Sequence, residues 1–374
     1  DLRTSRGLGD VYKRQSQYNC QPSFKNFVNY FHSKSLNNTV FSNIFVFLEG
    51  FLMKEHGYST GRLNLPFVGI STFGKSPFVD NWDDIKADVA ILGAPFDSGT
   101  QWRSGARFGP KSIREASMLF SFGHAGAYDH EDDVTYLDSS VRMVDIGDAD
   151  IIHTKTIESH NNIELGVKKI LEAGALPVTL GGDHSINIPC INAFEDFCAD
   201  NGPLHIVQID AHLDFVDERH GVTVGHGNPM RRAAEKHYVK GLSQFGIRNV
   251  SSTAKEGYED AKSFGSDILS VRQIRELGVE NLVKRVPKRD NLYITIDIDA
   301  FCPSIAAGTG TPSHGGFLYY EVLEILQGLA KQNNIVGIDL VEVAPAYDPS
   351  ESTQILAAQL LLNLVGFIFH NRQE

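Results

Sequence analysis

From Ala87 onward, short runs of apolar and β-branched residues recur with helix-length segments between them. This alternation restricts the fold more than any other feature of the chain. The runs are Asp88–Ala94, Val141–Ile146, Leu176–Leu180, Leu204–Ile209, Gly241–Ile247, Leu292–Ile296 and Ile335–Val341. They are almost continuously apolar rather than alternating, as strands must be when both faces of a sheet are covered. Between them the spacing predicts helices that include Ile157–Ala173, Val271–Val286, Tyr319–Lys331 and Ser352–Phe369. Strand–helix alternation without a linker argues for an α/β chain, a single three-layer αβα domain with a mostly parallel, doubly wound sheet. In such sheets ligands sit beyond the carboxyl ends of the strands, so chemistry is sought there.

Composition narrows the function classes. The 374 residues hold 34 Lys plus Arg against 46 Asp plus Glu, a formal charge of −12. A nucleic-acid binder carries a basic footprint, so that class is disfavoured, and an acidic surface suits a small cationic substrate. The cysteines Cys20, Cys190, Cys198 and Cys302 make no disulfide framework and no CxxC pair, which points to a reducing, cytoplasmic setting. Residues 1–55 are set apart from the expected catalytic domain 56–374. Their first part is basic and rich in Ser and Asn, reading as a transit peptide, a disordered arm or foreign sequence; a transit peptide would make the protein organellar. The run Phe41–Met53 is too short to span a bilayer and is interrupted by Glu49, so no membrane partner is expected.

Three of the predicted strands end in clusters of ligand-type residues. Leu180 is followed by Gly181-Gly182-Asp183-His184-Ser185, Ile209 by Asp210-Ala211-His212-Leu213-Asp214, and Ile296 by Asp297-Ile298-Asp299. In extended chain, Asp210, His212 and Asp214 point the same way, as do Asp297 and Asp299. So many carboxylates at one sheet edge would repel each other and could not all stay ionised. A pair of divalent cations resolves the conflict. Carboxylate with imidazole suits Mn²⁺ and similar metals, and the lack of ligand-type Cys argues against structural zinc. Any one cluster is compatible with a turn or a helix cap; three at successive strand ends are not.

Together these motifs resemble the ureohydrolase family, which includes arginase and agmatinase. The resemblance runs from about Phe67 to Phe369 and includes Gly105–Pro110 (GARFGP), Gly308–Pro312 (GTGTP) and Val341–Pro345 (VEVAP). It implies an arginase-like fold, a homo-oligomer (trimer or hexamer) and two divalent ions per chain, Mn²⁺ first and Ni²⁺ as the alternative. It further implies that His184, Asp210, Asp214 and Asp297 hold one ion, and that His212, Asp210, Asp297 and Asp299 hold the other. The reaction it implies is hydrolysis of a guanidino group to urea and an amine. Two close metal ions would activate the attacking water, and Asp214 would aim it. His226 matches the family's proton-relay histidine, a role suited to imidazole, and Glu342 the carboxylate that pairs with the guanidinium. Asp183 is expected to brace the His184 loop rather than bind metal. The chain departs from the family at Thr295, where Ser is usual and the hydroxyl is kept, and at Cys302, where Asp is usual and a charge is lost.

The substrate is argued from the loops. GARFGP and Val341–Asp348 are closer to agmatinase-like members, so agmatine, giving putrescine and urea, is the first expectation. Asp217 and Glu218 would repel a substrate carboxylate and receive agmatine's ammonium, although Arg219 beside them opposes this. Trp102 is the other candidate substrate contact. If its indole fills the pocket, only guanidine itself fits, and Ni²⁺ becomes the metal to consider. A binding protein that has kept the fold without turnover is the remaining class; the presence of every proposed ligand argues against it.

Overall fold

Each predicted apolar run becomes a strand of one sheet. The computed structural model describes residues 65–121, 126–288 and 290–372, all within the unit His56–Glu374. The expectations for residues 1–55, including the run Phe41–Met53, lie outside the described residues.

The strands are β1 (Val89–Ala94), β2 (Ala127–Asp129), β3 (Val134–Tyr136), β4 (Met143–Asp148), β5 (Leu176–Gly181), β6 (Leu204–Ile209), β7 (Val239–Phe245), β8 (Asp267–Leu269), β9 (Asn291–Asp297) and β10 (Asn334–Val341). Eight form a sheet in the order β4-β1-β5-β10-β9-β6-β7-β8, and every pairing in it is parallel. β2 and β3 make a separate antiparallel hairpin. Adjacent strand residues serve opposite faces. Val89 and Ile91 belong to a core shared with the helices Tyr319–Gln332 and Ser352–Asn371. Ala90 and Leu92 belong to a second core with the helix Thr156–Glu172. Two apolar faces on one sheet make the three layers.

The expected elements shift where local bonds decide. Val141 was expected to open a strand, but its N–H donates to Asp138 O at 3.0 Å and closes a turn, so pairing begins at Met143. The strand expected to reach Ile247 ends at Phe245, because Gly246 adopts φ 102°. The single helix expected over Val271–Val286 is two, Val271–Leu277 and Val279–Val283, broken at Gly278 with φ 78°. Glycine enters that left-handed region without a Cβ penalty and so ends helices. The helix Ser352–Asn371 is long and apolar enough to cross a membrane, yet 72% of its most apolar window is buried inside the protein, as in a core helix.

The strand order positions the site. The chain lays down β5 and β6 with a gap between them, and β9 and β10 later fill that gap. Four central strands therefore present their carboxyl ends side by side: β5 before His184, β10 before Glu342, β9 ending in Asp297, and β6 before Asp210.

Candidate metal centre and substrate cleft

His184 opens a short 3-10 turn after β5, capped by the Asp183 carboxylate, which accepts from Ser185 N–H at 2.9 Å. Gly182 is required in this loop, since a Cβ there would lie 1.7 Å from Phe96 O. His184 Nδ1 lies 3.0 Å from Asp210 Oδ2, 2.9 Å from Asp214 Oδ2 and 3.5 Å from Asp297 Oδ2. None of these contacts has hydrogen-bond geometry, so a fully buried imidazole nitrogen faces three carboxylate oxygens without a bond. His212 Nδ1 lies 3.0 Å from Asp299 Oδ2 and 3.7 Å from Asp210 Oδ1. Two groups thus gather ligand atoms within 4.8 Å of one another, His184 with Asp210 and Asp297, and His212 with Asp210 and Asp299.

The electrostatics match the conflict expected from the sequence. Burial, then the charges of Asp299 and Asp210, pushes the Asp297 carboxyl well above the usual carboxylate range. The Asp299 charge foremost pushes His212 up to about 11. Burial alone would lower His184, but its contacts with Asp210, Asp214 and Asp297 raise it well above the ordinary value. A cluster that retains protons to offset its own charge is one that divalent cations would discharge. The unbonded His184 nitrogen, the crowded oxygens and the imidazole–carboxylate donor set all fit two such ions.

The other ring nitrogen of His184 is held. Nε2 lies 2.9 Å from Thr295 Oγ1, which donates to Asp339 Oδ1 at 2.5 Å. Asp339 also accepts from Tyr293 OH and Asn187 Nδ2, each at 2.7 Å. With Thr295 Oγ1 giving its proton to Asp339, it accepts from Nε2–H, which leaves the Nδ1 lone pair facing the carboxylates. Gln208 Nε2 donates to Asp210 Oδ2 at 2.7 Å, and Thr311 Oγ1 to Asp299 Oδ2 at 3.1 Å.

Glu342 leaves β10 with φ 64°, and Asp214 has φ 52°. Left-handed backbone at a non-glycine residue costs on the order of 1–3 kcal/mol and gathers at functional sites. Glu342 Oε1 accepts His184 N–H at 3.1 Å and lies 3.1 Å from His226 Nδ1, whereas buried Oε2 has no hydrogen-bond partner among the described residues. His226 Nε2 accepts from Gln101 N–H at 3.3 Å. Asp183 accepts from Gly99 N–H at 2.7 Å and, through burial and then the Glu342 charge, is pushed up to about 6. It braces the loop as expected.

A cleft of about 490 Å³, counting its open mouth, is lined by His184, His212, Asp214, Asp297, His226 and Glu342. The three loop residues expected to contact substrate are not among its walls. Trp102 is 70% exposed, with its ring 5.2 Å from the Arg103 guanidinium carbon. Its neighbour Gln101 lines the cleft instead. Asp217 is exposed and paired with Arg232, and exposed Glu218 accepts Gly221 N–H at 3.0 Å. The acidic-loop and indole-plug expectations gain no support from this arrangement: ion pairing and turn geometry draw the acids away from the cleft, and the indole lies on the surface. Sequence reasoning missed Ser251, Ser252 and Thr253 in the wall, which belong to no motif, and Thr311, which lies in the GTGTP stretch. Cys302 is partly exposed, accepts from Ser304 Oγ at 3.1 Å, and does not line the cleft.

Comparison with known proteins gives the family. Residues 87–366 match the model of the arginase family. The chain is 35% identical to the mitochondrial guanidino acid hydrolase of Homo sapiens over 80% of its length and 82% of that protein. It is 36% identical to the mitochondrial agmatinase of Gallus gallus, over 80% of this chain and 85% of that one. Among solved structures, the proclavaminate amidino hydrolase of Streptomyces clavuligerus superposes with a TM-score of 0.72 at 30% identity, covering 82% of this chain and 99% of that one. The chain belongs to the arginase family, in its agmatinase-like branch, and is a binuclear metal hydrolase of amidino C–N bonds.

Proposed function

We propose that this enzyme cleaves a short linear guanidino compound to urea and an amine, with Mn²⁺ as the working metal and Ni²⁺ as its alternative. The reading rests on one observation: the buried, unbonded Nδ1 of His184 faces Asp210, Asp214 and Asp297 in the same cleft as the unpartnered Oε2 of Glu342. His184, Asp210, Asp214 and Asp297 would hold one ion, and His212, Asp210, Asp297 and Asp299 the other. When bound, the ions supply a water that is nucleophilic at neutral pH and screen the carboxylates.

The remaining work falls to the chain's own side chains. Glu342 Oε2 receives the guanidinium in a charge-assisted bond and orients its carbon toward the carboxylate cluster. Asp214, fixed by its left-handed backbone, aims the water. His226 keeps its Nδ1 proton against Glu342; a proton taken at Nε2 replaces only the long Gln101 bond and passes to the leaving nitrogen. The C–N bond breaks, the water oxygen stays on carbon as urea, and the amine departs protonated.

Agmatine was the first expectation, and relatives of that name support it. Its structural argument rested on Asp217 and Glu218, which lie off the cleft; the guanidine reading rested on Trp102, which does too. The test is urea release by metal-loaded protein from agmatine, 4-guanidinobutyrate, arginine and guanidine. Urea from at least one is expected, and urea from none, with two ions bound, would overturn the reading.

A further inference from the structure

We infer that Arg219 selects the substrate by binding a carboxylate at the end away from the guanidinium, so that the compound cleaved is an ω-guanidino acid. The inference rests on the reaction proposed above and adds the chemistry of the substrate's tail. Burial gives the cleft a direction. His184, Asp297 and Glu342 are buried, whereas Arg219 is half-buried, which places it toward solvent.

The bonds of Arg219 leave its charge uncompensated. Nη1 donates to Gln101 Oε1 at 2.6 Å and Ser252 Oγ at 3.2 Å, and Nη2 donates to Ser252 O at 2.9 Å. All three acceptors are neutral, and among the described residues no carboxylate pairs with Arg219. Its acidic neighbours are turned elsewhere, Asp217 to Arg232 and Glu218 to the Gly221 amide. Three bonds occupy three of the five donors that a guanidinium carries. A half-buried cation with neutral partners has lost water without gaining a counter-charge, and a carboxylate restores that balance through a charge-assisted bond. The wall beside it adds the hydroxyl residues Ser251, Ser252 and Thr253, which can donate to the same carboxylate. The cleft thus has opposite polarity at its ends, Glu342 for the guanidinium and Arg219 for an anion. Agmatine would bring its ammonium to Arg219 and be repelled.

The test compares kcat/KM for 4-guanidinobutyrate and agmatine, which share a guanidino end and differ in the sign of the tail. Wild-type enzyme should prefer the acid. Arg219→Gln should lower kcat/KM for the acid roughly 10–100-fold, the range of one charge-assisted hydrogen bond, chiefly through KM. Arg219→Glu should invert the preference. A purely structural strut linking Gln101 to Ser252 would lower both compounds alike and leave their ratio fixed, which would overturn the inference. A wild-type preference for agmatine or guanidine would overturn it without any variant, while leaving the hydrolytic reaction intact. That result decides the matter even if the variants fail to fold. Urea from none of the compounds would instead remove the reaction on which it rests.

Discussion

Glu342 Oε1 lies 3.1 Å from His226 Nδ1 and accepts the His184 amide at the same distance, so one carboxylate oxygen joins His226, the proposed proton relay, to the His184 loop. Burial alone would lower the His226 pKa; the hydrogen bond and charge of Glu342 outweigh it and push it up to about 9. The proton-donating form is therefore full well below that pH and is lost as pH rises through it. Turnover is expected to fall on the alkaline side around pH 9. His226→Ala should keep its metal, slow turnover on the order of 10²–10⁴-fold and lose this alkaline limb. Unchanged turnover in that variant would take His226 out of the mechanism.

Asp297, like Asp210, belongs to both proposed ligand sets; it lies near His184 and, at the end of β9, two residues before Asp299. Purified enzyme should carry about two divalent ions per chain, as two-metal hydrolases do. Asp297→Ala should lose metal and nearly all turnover. Ions that bind only the folded chain stabilise it, by about 2.7 kcal/mol at 100 times Kd. Added Mn²⁺ should thus raise the Tm of the apo wild type and not that of the variant. Elemental analysis showing a full complement in Asp297→Ala would contradict the assignment.

Thr295 carries the hydrogen bond that fixes the His184 ring, so its hydroxyl matters more than its size. Thr295→Val should weaken metal binding about 10–100-fold, the usual cost of losing a partner behind a metal ligand. Thr295→Ser should restore it. Calorimetric titration of apo protein with Mn²⁺ distinguishes the two, and equal affinities would show that the hydroxyl is idle.

Cys302 should be the first thiol among the described residues to react with iodoacetamide at neutral pH. The Ser304 hydroxyl, then its amide, lowers the Cys302 pKa, whereas burial pushes Cys198 up to about 11 and raises fully buried Cys190 further. The thiolate is the nucleophile, so exposure and lowered pKa act together. Peptide mapping that found Cys190 or Cys198 alkylated before Cys302 would refute this order.

The α/β architecture was legible because it is local: a run such as Val89–Ala94 is apolar at every position, as a strand covered on both faces requires. The ligand types were legible for the same reason, each lying within a few residues of a recognisable strand end. Strand order was not, because pairings such as β10 with β5 join residues about 160 positions apart, and no short stretch encodes that choice. That order brings Glu342 beside His184 and Asp297 beside Asp210. Side-chain direction in the loop after Asp214 was equally hidden. Asp217, Glu218 and Arg219 are consecutive, yet an ion pair with Arg232 draws Asp217 outward, while Ser252, 33 positions along the chain, holds Arg219 in the cleft wall. Composition identified the charges available to the site, and long-range hydrogen bonds decided which of them lines the cleft.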